Sequence, residues 1–463
     1  PAAVDGGVVA AAAPRVDGGV GGRYDATIDR GWWIETRVIP EANHVLGEPL
    51  WIDEARRVTA DWLQTLAAPP VEAAQPAVVR ADSVEIVSDP AEFAALRPVW
   101  NALLERSATD SVTLTWEWLS TWWQVYGEGR SLCVVLVRSG YRLVGAAPLV
   151  RRSSLALTDG LIPLRRIELM GSGEDRLDSV CSDYIGWIAE KGAELAVADA
   201  VMAALVEGRC GTWDQLLLPD MQVPNPMSSA IVVAGACHNV DFEEIHRDEC
   251  PIVTLPPSWE EYLKGLGPNH RKGVKRTARE FATAGGTYKV AGDIAELEQM
   301  REDLIRLHQG RWIARGEPGA FASRKRSRFH ELFMPLALER GWLRLGVISI
   351  GVEALGAIYN LTYSGRVFSY QTGITPPQSN AMSPGVLLHA SEIQAAIQSG
   401  QREYDFLKRW LSKYKDRWCT GNHVLATYSF SRRNWLARSE RFMRHLRARA
   451  SSVKRRIISA RSA

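Results

Sequence analysis

Ser383-Pro384-Gly385 stands directly before VLLHASEIQAAIQ, a run that reads as a helix ending near Gln398. Ser can cap a helix, Pro fits its first turn, and Gly lets another group approach the backbone closely. The unpaired amides and the dipole at such an end favour an anion. The plain alternative is an ordinary helix start. Arg271, Lys275 and Arg279 recur every four residues, so they share one helix face, with Lys272 and Arg276 beside them. That stripe could hold an anionic group or be a solvated face. Arg311-Trp312 follows Gly310 at the end of another helical run, a basic-aromatic step that packing can explain.

Metal chemistry is not expected. Cys133, Cys181, Cys210, Cys237, Cys250 and Cys419 form no C-x-x-C pair, and no two His have ligand spacing. Thiols so scattered in a chain this long also argue against a disulfide framework. The tail from Arg432 to Ala463 holds eleven Lys/Arg and one Glu. Trp435, Phe442, Leu446, Val453 and Ile457 fall at helical spacing within it, a pattern suited to adsorption on anionic lipid. Each basic residue near such a surface contributes about 1 kcal/mol. A solvated tail is the alternative, and no nucleic-acid partner is expected because no reading motif accompanies the charge.

These residues need a scaffold, and 463 residues are enough for roughly two to four domains. Apolar residues at 46% and a net charge of +2 fit an ordinary globular protein and give no whole-chain case for nucleic acid. The longest apolar runs, such as LCVVLV, fall far short of the roughly 20 residues that span a bilayer. No basic segment precedes the Ala/Gly/Val-rich start, so the expected compartment is the cytoplasm. The 17 Trp could line grooves, but core burial is the expected use. Residues 1–83 read as a low-complexity and irregular extension, with AAPPVEAAQPAVV as a linker.

From residue 84 the pattern is rich. Asp89 caps a helix with Phe93, Leu96, Trp100, Leu103 and Leu104 on one face. TWEWLSTWWQVYGEG makes a second helix closed by Gly127. SLCVVLV and YRLVGAAPLV flank a Ser139-Gly140 turn, and a helix over AELAVADAVMAALVEG precedes the strand TWDQLLL. The second half repeats this plan. Helices start at PPSWEEYLKGL, around Arg271–Phe281, from Ile294 to Trp312 and from Phe329 to Arg340. A hairpin of WLRLGVISI and ALGAIYNLTY then turns at Ser364-Gly365 into RVFSYQTG, and HVLATYSF is the last strand. The shared order of helix, helix, hairpin, helix and strand predicts an internal duplication in the α+β class. The expected division is 84–252, 253–430 and a tail from 431.

Four stretches in this order carry a resemblance. They are TWEWLSTWW with its Gly turn, ELMGSGEDRLDSVCSDYIGWI with Gly171, Gly173, Asp183 and Tyr184, NAMSPGVLLHASEIQAAIQSG, and REYDFLKRWLSKYKDRW. Together they resemble the tandem GNAT-like acetyltransferases named after cellulose biosynthesis, close in fold to the Fem aminoacyltransferases. The resemblance covers about residues 84–430. It implies two GNAT-like domains with mixed, mostly antiparallel sheets, the first degenerate and the second binding acetyl-CoA or another acyl-CoA.

On that resemblance Gln371, Ser383, Pro384, Gly385, Val386 and Leu387 would hold the donor. Asp405 would serve as base and Tyr414 as acid toward the leaving thiolate, and Lys415 would meet a phosphate or an acceptor carboxyl. Arg271, Lys275, Arg311, Trp312, Tyr359 and Tyr370 would face the acceptor, an amine on an amino sugar or another envelope precursor. The amine would attack the thioester directly, without a covalent enzyme species, and backbone amides in splayed central strands would stabilise the oxyanion. Two departures stand out. The usual Gln/Arg-x-x-Gly-x-Gly/Ala loop is absent, with Pro376-Pro377-Gln378 in its place, and Arg409 to Ser412 replace a segment that commonly holds Gly and an acidic residue. The rival readings are a Fem-type transferase using aminoacyl-tRNA and a non-catalytic binding module of an envelope polysaccharide machine.

Overall fold

The computed structural model describes residues 26–28, 32–34, 81–152, 156–158, 162–375, 382–409 and 414–444. Expectations for the rest of the amino-terminal extension, for Pro376-Pro377-Gln378, for 410–412 and for the tail beyond 444 lie outside these residues. Packing divides the chain into Pro1–Ala77 and Val78–Ala463. In the first unit, β1 (Ala26–Ile28) and β2 (Trp32–Ile34) pair antiparallel.

The second unit is built on one sheet. Its first half supplies β3 (Ser83–Val87), α1 (Pro90–Ala95), α2 (Arg97–Glu105) and α3 (Trp116–Tyr126). The hairpin β4 (Arg130–Ser139) and β5 (Arg142–Arg152) follows, then the small pair β6 (Ala156–Thr158) and β7 (Ile162–Leu164). β8 (Arg166–Leu169), β9 (Ile188–Ala189), α4 (Glu194–Val206), β10 (Gln215–Val223), α5 (Pro226–Cys237) and β11 (Asp241–Thr254) complete it. The helix expected from Asp89 to Leu104 is two helices. Asp89 does cap α1, accepting from the amides of Ala91 and Glu92, but Pro98 sits in the first turn of α2. Proline there removes a donor and clashes with the turn before it, so the axis breaks at Leu96.

The second half supplies α6 (Trp259–Gly265), α7 (Pro268–Thr283), β12 (Gly286–Val290), α8 (Ile294–Ile313) and α9 (Arg324–Glu339). It continues with β13 (Leu343–Ile350), β14 (Glu353–Tyr363), β15 (Arg366–Ile374), α10 (Pro384–Gln398), β16 (Glu403–Asp405) and β17 (Gly421–Ser431). α9 starts earlier than the apolar spacing predicts because Ser323 caps it, accepting from the Arg326 amide. Ser364 and Gly365 both take positive φ in the turn before β15, as that tight reversal requires.

Strand order is β12-β13-β14-β15-β16-β11-β17-β10-β8-β5-β4-β3, with β9 on β5. Each half holds one parallel pair, β8 with β10 and β15 with β16, joined through α4 or α10. The halves exchange their last strands. β11 closes the second half's sheet by pairing with β16, and β17 closes the first half's by pairing with β10. β11 and β17 pair with each other along nearly their whole length.

Buried apolar residues of both halves form one continuous cluster. Trp100, Trp118, Trp122 and Trp187 are fully buried, the expected use of this residue. Trp118 of α3 packs edge-on against Phe329 and Phe333 of α9, each centroid 4.8 Å away. Such pairs add about 0.5–1.5 kcal/mol beyond area burial. Glu117, fully buried beside it, accepts from Arg340 Nε at 2.9 Å and Asn101 Nδ2 at 2.7 Å. One expectation is corrected. Cys133 of β4 and Cys210 beyond α4 form a disulfide, Cα atoms 5.8 Å apart, a pairing that long-range packing sets and no local spacing signals.

Because each sheet borrows a strand, residues 81–252 and 253–444 produced separately should each lack a cooperative thermal transition by circular dichroism. Co-expressed, they should recover one.

Candidate functional site

β15 and β16 pair only at Arg366–Glu403, Val367–Tyr404 and Phe368–Asp405. Among the described residues, β15 runs on to Ile374 with no partner strand on that side. The cause is local. The β14–β15 register slips between Tyr359–Gln371 and Asn360–Ser369, which leaves Tyr370 as the extra residue of a bulge. A bulge bends its strand and sharpens the twist, here where the parallel pair ends. The result is a wedge whose β15 wall offers backbone groups no strand uses.

α10 begins at this wedge. Ser383 stands at its cap position but makes no side-chain cap bond, and Pro384 is in the first turn. The amides of Val386 and Leu387 both donate to Ser383 O at 3.1 Å, so these two are already occupied. Leu387 is buried in the core, and Val386 packs against a neighbouring cluster. Gly385 is different. Among the described residues, a Cβ built there would meet only Ile374 Cδ1, at 3.8 Å. Their packing does not require glycine at that position.

α10 is held in place by a buried polar network. Glu392 takes Arg344 Nε at 3.0 Å and Nη2 at 2.8 Å, Asn360 Nδ2 at 2.8 Å, and the Tyr288 hydroxyl. His389, one turn earlier, lies 3.1 Å from the Tyr404 hydroxyl through Nδ1 and 3.4 Å from the Tyr414 hydroxyl through Nε2. Burial, with Lys415 nearby, lowers the His389 pKa to about 3, so the ring is neutral. Tyr414 is half-exposed, and burial followed by Cys419 raises its pKa although Arg311 opposes them. The charge of Arg311 therefore acts on Tyr414. Trp312 stacks near His308 and Arg315 instead.

Asp405 lies at the point where the strands part, fully buried. It accepts the Tyr184 hydroxyl and, at 2.7 Å, the Leu407 amide. Burial raises its pKa to about 6, against the lowering effect of those two bonds. Glu403, Asp405 and His423 bring one polar atom each within 4.8 Å of one another, and His423 Nε2 is 2.9 Å from Glu403. Lys415, expected at a phosphate or acceptor carboxyl, donates instead to Phe406 O at 2.6 Å and Lys408 O at 3.1 Å. It clasps the turn after β16.

The wall opposite comes from the first half. Residues 170–193, between β8 and α4, are far longer than their counterpart 375–383. Part of this loop fills the first half's own wedge. Gly186 sits against Met221 of β10, and Trp187 O accepts Thr109 Oγ1 at 3.0 Å. The part before it crosses to the second half. Asp178 accepts Ser323 Oγ at 2.6 Å, Val180 O accepts the Tyr370 hydroxyl, and Tyr184 reaches Asp405. Asp183 accepts the Lys408 amide at 3.0 Å, while Lys408 Nζ lies 3.2 Å from Asp183 and 2.7 Å from Asp220. Burial works against that ammonium, but the two carboxylates outweigh it and hold its charge.

Cys181, Tyr184, Asp220 and Leu407 all have positive φ, a conformation that side chains resist, and all border this network. Strain of that kind persists where surrounding bonds over-determine it and gathers at functional sites. Gly173 turns the loop with φ +79, and a Cβ there would collide with the Glu168 carboxylate.

The resemblance singled out Asp405, Tyr414 and Gly385, which lie on β16, beside His389 and at the start of α10. Gln371 is on the stretch of β15 beyond the parallel pair. Buried Tyr359 and partly exposed Tyr370 lie beside it, their ring centroids 5.0 Å apart. Arg271 and Lys275 lie on the outer side of α7, and Arg271 Nη1 reaches only Lys264 O, at 3.4 Å. Missed entirely were Lys408, Arg326, His330 and His389. Asp183 and Tyr184 were noticed as a motif but not as part of the second half's site.

Residues 268–416 match the family model of the acetyltransferase (GNAT) domain. Among solved structures, FemX superposes with a TM-score of 0.51 at 10% identity, over 75% of this chain and 96% of that one. The C-terminal domain of a putative lysylphosphatidylglycerol synthetase from Agrobacterium fabrum has a TM-score of 0.44 at 9% identity, over 77% and 96%. A tandem GNAT protein from the clavulanic acid biosynthesis pathway has 0.41 at 12% identity, over 75% and 98%. A search of curated protein sequences finds no match. The chain has a GNAT-like α+β fold, and 268–416 is its GNAT acetyltransferase-like segment.

The raised pKa of Asp405 has a stability consequence. Its stabilising effect is complete below the unfolded value near 3.8 and is lost as pH rises through about 6, roughly 3 kcal/mol in all. Asp405→Asn should flatten that part of the stability–pH curve in urea titrations. Tyr184→Phe removes a bond that lowers the pKa, so the Asp405 carboxyl should titrate above 6 in 13C NMR.

Proposed function

We propose that this protein is an acyl-CoA-dependent N-acyltransferase, acetyl transfer being the simplest case, with its donor site in the second half. The observation that carries this reading is the wedge between β15 and β16, with the open helix end at Gly385 inside it. The residues present fit such a donor: a free backbone edge, a helix amino terminus, and a glycine that packing leaves open. An acyl-CoA would supply the acyl group as a thioester. Gly385 and the α10 dipole would hold a phosphate, and the β15 edge would orient the acyl end. An acceptor amine would then form the C–N bond as the C–S bond breaks.

Tyr414 is suited to give its proton to the departing sulfur, because its raised pKa keeps the phenol protonated and neutral His389 backs it. Asp405 is ionised above about pH 6 and is the acceptor for the amine proton, its charge held toward the wedge through Tyr184. Lys415 fixes the turn that carries these groups. The first half is degenerate as a donor site because its own loop occupies its wedge. It acts as the wall of the working site.

The four sequence stretches resemble the cellulose-biosynthesis group, and that resemblance supports an amino sugar or envelope precursor as acceptor. No helix among the described residues is long and apolar enough to cross a membrane. We infer a cytoplasmic enzyme whose basic tail touches anionic lipid.

Isothermal titration with acetyl-CoA and a longer acyl-CoA, against free CoA, should give micromolar binding. Gly385→Leu should abolish it while leaving the melting temperature nearly unchanged, since a side chain there meets only ordinary contact. Absence of thioester binding would instead direct attention to aminoacyl-tRNA. With an acceptor in hand, Tyr414→Phe should lower kcat by roughly 100-fold, whereas a binding module would be indifferent.

A further inference from the structure

Arg326, in the first turn of α9, is only 8% exposed. A buried guanidinium is almost always paired with a carboxylate, because an unpaired buried charge is costly. Among the described residues no carboxylate lies within ion-pair distance of Arg326. Its Nη2 is 4.0 Å from Cys181 Sγ, and its Nε has no partner. The side chains that act on it most, Tyr370, Cys181 and Tyr126, are neutral. Burial raises the pKa values of the Cys181 thiol and the Tyr126 and Tyr370 phenols.

Two further buried atoms also lack partners: His330 Nδ1, one turn along α9 from Arg326, and the hydroxyl of Tyr359, whose ring is 5.6 Å from that of His330. The rings of His330, Tyr359 and Tyr370 lie 5.0–5.6 Å apart as a closed set. Tyr370 spends its one proton on Val180 O, so the 3.3 Å contact with His330 Nε2 places the imidazole proton on Nε2. His330 Nδ1 is then a bare acceptor. A cation, a hydroxyl donor and a nitrogen acceptor thus stand unsatisfied together, at the bulge that opens the wedge.

Outside them, an open groove is lined by Gln124 and Val125 of α3 and by Arg324, Lys325 and Arg328 of α9. Arg324 and Lys325 have no ion-pair partner among the described residues. Three consecutive basic residues at a helix amino terminus oppose its dipole, so the first turn of α9 presents concentrated positive charge. Such a rim draws anions inward.

We propose that Arg326, Tyr359 and His330 form the receiving site for an acceptor that bears a carboxylate as well as its amine. This deepens the acyl-transfer reading and rests on it. Arg326 Nε and the Tyr359 hydroxyl donate to the carboxylate, and His330 Nδ1 accepts an N–H from the same molecule. A carboxylate fits better than a phosphate because one buried guanidinium neutralises a monoanion, while a dianion would leave buried charge over.

The test uses the full chain and ω-amino carboxylates from glycine to 6-aminohexanoate, each against its carboxamide, with inorganic phosphate for comparison. Thermal shift and calorimetry are the readouts. At least one carboxylate should raise the melting temperature where its amide does not. Arg326→Met should weaken that binding tenfold or more and Arg326→Lys less. Without ligand, Arg326→Met should melt at the same or a higher temperature, because it removes an uncompensated buried charge. Equal responses to carboxylate and amide, a response to phosphate alone, no response anywhere in the series, or a clear fall in the unliganded melting temperature of Arg326→Met would each overturn the proposal. Acyl-CoA titration fails or succeeds independently of this series, so loss of the acyl-transfer reading would be recognised separately.

Discussion

β11 and β17 run antiparallel from Asp241–Ser431 to Ile252–Gly421, and each is the closing strand of the other half's sheet. Neither half can complete its hydrogen-bond ladder alone, so the relative position of the two is fixed to strand register. A slip of one residue would turn every inward side chain outward. That exactness matters because the site depends on distances between halves: Tyr184 to Asp405, Asp183 to Lys408, Val180 to Tyr370. Groups so far apart in sequence can meet at hydrogen-bond range only on a shared rigid frame.

The duplication has divided labour between its copies. Both halves have a parallel pair that parts after three residue pairs. In the second half the connection between β15 and α10 is short. In the first, a longer one folds into the gap and then crosses over. One loop therefore closes one wedge and walls the other. Its local strain, with Cys181 and Tyr184 at positive φ, is borne by bonds on both sides of the seam.

Much of the scaffold was legible because it rests on local rules. Asp89 before an apolar face, Gly140 in a two-residue turn and Pro384 at a helix start each act through their own neighbours. β11 was not legible. DFEEIHRDE carries charges on both faces, and only the partner strand β17 makes it a strand. α5 also escaped, since its small and apolar residues alternate without a strong helical face. Pro98 was read as part of one helix where it divides two.

The same boundary runs through the site. The sequence by itself determined most of the helices and hairpins and where α10 starts, because spacing along a chain encodes local geometry, while Asp405, Tyr414 and Gly385 were singled out by resemblance. The tertiary structure decided that Asp405 meets Tyr184, that Lys415 clasps a turn, that Cys133 bonds Cys210 and that Arg326 is buried without a counter-charge. Those are facts of desolvation and long-range contact. They depend on what else fills the space around a residue, and no local pattern carries that information.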